Sequence, residues 1–122
     1  LKKSFNSLVS MLINSNDVMF SFIWRDDLDF NKAAQQFETD LLPFLIREER
    51  VSEWPGTELD GEGATMKYYE LTTESYQILS KVSSPFEFLS PFYPEDVAMY
   101  KDSKLVYASC SHEKIEWFAS EE

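Results

Sequence analysis

The spacing of apolar residues changes several times along the chain, and each change marks an element. Phe5, Leu8, Val9, Leu12 and Ile13 recur at helical spacing, which predicts an amphipathic helix over residues 3–14. Asn14-Ser15-Asn16-Asp17 predicts a turn. Val18, Phe20, Phe22 and Trp24 then alternate with Met19, Ser21 and Ile23, the pattern of a strand covered on at least one face. Asp29 is placed to cap a second helix with Phe30, Ala33, Ala34, Phe37 and Leu41 on one side. Pro43 lacks an amide donor and pushes Leu42 away from helical geometry. The helix is therefore expected to kink there, or to restart through Phe44, Leu45 and Ile46.

The second half reads as shorter pieces. Residues 52–63 hold all three glycines (Gly56, Gly61, Gly63) and Pro55, and predict a loop. Ala64 to Leu71 predicts a strand carrying Tyr68 and Tyr69, and Thr72 suits the cap of a short helix. Pro85 to Pro94 contains three prolines and predicts irregular structure. Residues 96–101 and 104–110 pair naturally as a hairpin across Asp102-Ser103, and Ser111 is expected to cap a last short helix with Ile115, Trp117 and Phe118. The expected fold class is α+β: a mostly antiparallel sheet of about four strands with helices packed on one face. A small parallel α/β sheet is the alternative. With no repeat and no long linker, residues 1–122 are expected to form a single domain.

Composition narrows the function. The chain has 22 acidic side chains against 11 basic ones, a net charge of −11. Such a charge repels nucleic acid and anionic membrane, and attracts a basic partner. The plainer reading of the same charge is solubility. One cysteine cannot form an internal disulfide, which fits a reducing, cytoplasmic setting. No apolar run approaches a membrane span, and the polar residues among the first sixteen argue against a secretory leader. There is also one histidine. The usual tools of catalysis are nearly missing, and no cofactor or metal is expected.

Several constellations have a chemical reading and a plainer one. Cys110 and His112 fall on one strand face if the strand continues, but a nucleophilic pair is usually distant in sequence, and zinc needs about four ligands. Glu58-Leu59-Asp60-Gly61-Glu62-Gly63 begins like a calcium loop, yet Tyr69 stands where the bidentate Glu belongs. Asp26, Asp27 and Asp29 read more simply as a strand end and helix start. Phe86, Phe88, Leu89, Phe92 and Tyr93 crowd an irregular segment, which either folds onto the core or leaves rings exposed for an interface. Trp54 poses the same choice.

The tracts Pro94-Glu95-Asp96-Val97, Tyr100, Ser109, Ser111-His112-Glu113 and Trp54-Pro55-Gly56-Thr57 resemble those of a family of small uncharacterised bacterial proteins, over residues 18–118. That resemblance brings no catalytic residues with it. In size and acidity the chain is similar to bacterial immunity proteins that neutralise toxins. The expectation is a non-catalytic module that binds a basic protein, such as an immunity protein or an inhibitor of a toxin. Its partner-binding residues would be Trp54, Glu58, Asp60, Glu62, Phe86, Phe88, Phe92 and Tyr93. The alternatives are a small-molecule binder or enzyme with a pocket of Tyr68, Tyr69, Tyr100 and His112, and a structural subunit of a larger assembly.

Overall fold

Strand β1 (Val18–Arg25) is the centre of the molecule, because both of its faces are apolar and both are covered. A computed structural model describes residues 4–59 and 63–119. β1 sits inside a six-stranded sheet of order β2-β5-β1-β6-β7-β8, antiparallel throughout. The other strands are β2 (Leu45–Val51), β5 (Ala64–Glu70), β6 (Glu95–Lys101), β7 (Lys104–Cys110) and β8 (Ile115–Phe118). Two short strands, β3 (Glu53–Trp54) and β4 (Thr57–Glu58), form a separate hairpin. The architecture is α+β as expected, with six strands in the main sheet instead of about four.

Helices α1 (Phe5–Leu12), α2 (Lys32–Leu41) and α3 (Thr73–Leu79) cover one face. Phe5, Val9, Leu12, Phe37, Leu41 and Leu79 meet Phe20, Phe22, Tyr69, Val97, Met99 and Tyr107 there. Burying each large apolar side chain contributes roughly 1.5–3 kcal/mol. Aromatic geometry sets the packing: Tyr69 stacks on Phe20 at 5.3 Å, and Phe22 meets Phe37 and Phe88 edge-on at 5.4 and 4.9 Å. The other face carries a smaller cluster of Ile23, Trp54, Ala64, Met66 and Tyr68, covered in part by the β3–β4 hairpin.

Three local expectations are corrected. Asn31, not Asp29, caps α2, accepting the Ala33 and Ala34 amides at 2.9 and 3.2 Å. After Pro43 the chain makes one 3₁₀ turn (Leu42–Phe44) and enters β2 instead of restarting a helix. The charged run Arg47–Arg50 is stable as an edge strand because β5 supplies partners for it. Arg47 lies over the Tyr68 ring at 3.9 Å, and Arg50 pairs with Asp26. The expected last helix is a 3₁₀ turn (Ser111–Glu113) followed by β8, since Lys114 takes the left-handed conformation and turns the chain back onto β7. No helix among the described residues is long and apolar enough to cross a membrane.

Candidate functional site

One end of the sheet gathers the polar residues that the core excludes. A β-bulge interrupts the β1–β6 register between Ser21 and Ile23. Asp96, opposite this irregularity, has a φ of 55°. Regular alternation would send two consecutive side chains to opposite faces. Here Glu95 and Asp96 are both buried, at 0% and 5% exposure. An Asp in the left-handed region carries a conformational cost that its surroundings must offset.

The bonds to Asp96 show how. The Trp54 indole N–H donates to Asp96 Oδ2 at 2.8 Å, and the Ser111 amide donates to Oδ1 at 2.8 Å. Both carboxylate oxygens are thus used, one on the β3–β4 hairpin and one on the turn after β7. Pro55 and Gly56 form the tip of that hairpin, and Gly56 has a φ of 89°, the Pro-Gly pattern of a type II turn. Glu53 and Glu58 are Cα partners across the hairpin, and both are exposed. Like charges directly opposite destabilise a strand pair.

Glu95 is satisfied on one side only. Its Oε2 accepts the Ser90 amide at 3.1 Å and lies 3.0 Å from His112 Nε2. Its Oε1 is buried and has no hydrogen-bond partner among the described residues. Burial pushes the Glu95 pKa above the usual carboxylate range, against the lowering effect of the Ser90 amide and His112. His112 is half exposed. Nearby, Arg25 grips Asp27 with two bonds of 2.9 and 2.7 Å, which holds Asp27 low and Arg25 high. Glu95 and Asp96 together tie three segments to the sheet end: the hairpin, the 88–94 loop and the Ser111–Glu113 turn.

The sequence-derived residues scatter across this frame. Trp54 is buried with its indole bonded, so it roots the hairpin and is not an exposed anchor. Phe88 is fully buried, Phe86 is half-buried, and Tyr93 packs edge-on against Phe37 and Phe88. Phe92 is the exposed ring of that segment, at 56%. Glu58 is exposed on β4, whereas Asp60 and Glu62 lie outside the described residues.

The four residues of the alternative pocket do not converge. Tyr69 is under the helices, and His112 is at the sheet end against Glu95. Tyr68 and Tyr100 do meet, at 5.6 Å on the opposite face, where they bond Glu49 and Ser21 at 2.7 and 3.1 Å. Cys110 faces Thr57, with Sγ 3.9 Å from its hydroxyl, so the thiol and the imidazole have different partners. Among the described residues, no group of three or more His, Cys, Asp or Glu side chains is placed to hold a metal ion. The paired acids Glu95 and Asp96 were missed as a site. Their signal was two carboxylates between Pro94 and the apolar run Val97-Ala98-Met99.

No known protein family, no curated protein and no solved structure matches the chain.

Proposed function

We propose that this protein is a non-catalytic module that docks a basic protein partner, in the manner of an immunity protein or inhibitor of a toxin. The carrying observation is the like-charged pair Glu53 and Glu58 on a hairpin pinned by Trp54 and Asp96. A cationic partner relieves that repulsion on binding, and the pinned root keeps the carboxylates in place before it arrives. The wider surface supports the reading. Arg25, Arg47, Arg50, Lys67, Lys81 and Lys101 each pair with a carboxylate. With 22 acids against 11 bases, even complete pairing leaves a large acidic excess on the chain.

Capture from the native lysate at low salt tests this directly. The expected result is a basic protein that elutes as salt rises, and that associates more slowly with the Glu53→Gln/Glu58→Gln variant. Recovery of no basic protein, or retention indifferent to salt, overturns it.

A second reading has one observation in its favour. Glu95, buried and only half satisfied, holds a half-exposed imidazole, an arrangement suited to orienting His112 toward a small ligand. A small-molecule fragment that shifts the His112 ring resonances, and loses its effect in Glu95→Gln, supports that reading. A ring that stays silent across a fragment collection removes it.

A further inference from the structure

The main sheet ends on two outer strands, and they are defended unequally. β2 carries four consecutive exposed charged residues, Arg47 to Arg50. Charges on an edge strand discourage another strand from pairing there. β8 has a single charged residue, Glu116, whose carboxylate accepts the Tyr107 hydroxyl at 2.8 Å. Ile115 on the same strand is 49% exposed, and Trp117 and Phe118 are half-buried.

The register shows which backbone groups are free. The Ala119 amide donates to the Val106 carbonyl at 3.0 Å, and Ala108 stands opposite Trp117. In an antiparallel ladder, the residues that face a given neighbour alternate along the strand. Ile115, Trp117 and Ala119 therefore face β7, while the N–H and C=O groups of Glu116 and Phe118 turn outward. Among the described residues, no strand takes them.

The acidic hairpin also reaches this strand. A methyl group added at Gly56 would stand 2.5 Å from the Trp117 ring, so the hairpin tip rests on β8. We propose that a basic, extended segment of the partner adds to β8 as one further strand, next to the strand on which the hairpin of Glu53 and Glu58 rests. This rests on the docking reading above. The outward groups of Glu116 and Phe118 set its register, and the hairpin carboxylates select its charge. A second copy of the chain offers an equally open edge, but it brings −11 against −11. Charge therefore favours the basic segment.

The probe is a fluorescein-labelled peptide of alternating lysine and threonine, read by anisotropy against one of alternating glutamate and threonine. Two proteins are compared with the unaltered chain. One is Glu53→Gln/Glu58→Gln. The other carries an N-methyl group on the Phe118 amide, made by joining a synthetic 110–122 segment at Cys110, and so loses an outward donor while keeping every side chain. Circular dichroism and the thermal midpoint establish that both are folded.

The expected result is tighter binding of the lysine peptide than of the glutamate peptide. Each alteration then weakens the lysine complex, N-methylation by about tenfold. If the Gln variant weakens binding and N-methylation does not, strand addition is overturned and the docking reading stands. If the lysine peptide binds no better than the glutamate peptide, both fall. A dimer in sedimentation that N-methylation splits gives the edge to a second copy and also overturns the proposal.

Discussion

Asp96 and Glu95 are neighbours in sequence whose carboxylate oxygens are satisfied to different extents. Asp96 has both oxygens bonded, and Trp54 is its link to the hairpin. Trp54→Phe keeps most of the apolar contact and leaves Asp96 Oδ2 without its donor. An unmade buried bond costs about 1–3 kcal/mol, so the urea midpoint should fall accordingly. An unchanged midpoint would show that the indole bond does not hold the hairpin root. Glu95 has a pKa raised by burial. Its contribution to stability is complete below the unfolded value of about 4.3, and is lost as pH rises through the folded value. Asp26 and Asp27 behave oppositely, because Arg50 and Arg25 hold their pKa values down. Their contributions are present above about 3.9 and are lost as pH falls. The stability of the unaltered chain relative to Glu95→Gln should therefore decline as pH rises from about 4 toward neutrality. Urea titrations across that range measure it, and a flat difference contradicts the burial argument.

At the scale of elements, the hairpin depends on one residue without a side chain. Gly56 combines a φ of 89° with a 2.5 Å approach of any added Cβ to the Trp117 ring. Gly56→Ala should destabilise the hairpin by about 1 kcal/mol or more, since both the backbone and the space are wrong for a methyl. Faster hydrogen exchange at the Leu59 amide, which donates to Ser52 at 2.8 Å, reports the loosening. Elements with their own periodicity were legible in the sequence: α1, β1, β5 and the β6–β7 hairpin fall where the apolar spacing puts them. β2 and β8 were not, and the reason is the same for both. Arg47–Arg50 carries no apolar alternation, and Ile115-Glu116-Trp117-Phe118 fits a strand as well as a helical turn. Pairing with β5 and β7 decides them, and that partner is invisible to local spacing. The candidate site was illegible for a related cause. Glu95, Arg25, Trp54 and His112 are far apart in sequence, and a bulge with a left-handed Asp96 brings them to one sheet end.

At the scale of the whole molecule, charge pulls in two directions that salt can separate. With 22 acids against 11 bases, the folded chain holds many like charges closer than the unfolded chain does. That self-repulsion weakens the compact state, and added salt screens it over a Debye length of about 10 Å at 0.1 M. The described ion pairs oppose this trend, because salt also weakens attraction. They are mostly exposed, such as Arg47–Glu49 at 52% and 43%, and exposed pairs contribute little. Repulsion is therefore the larger effect. The urea midpoint should rise as potassium chloride increases from about 10 to about 200 mM. Over the same range, the rate of association with a basic partner should fall, because long-range steering is screened while the fold itself grows firmer. Measured together, a rising midpoint and a falling on-rate separate loss of attraction from loss of structure. A midpoint that falls with the on-rate would mean that the exposed ion pairs dominate the fold, and that the acidic excess does not set its response to salt.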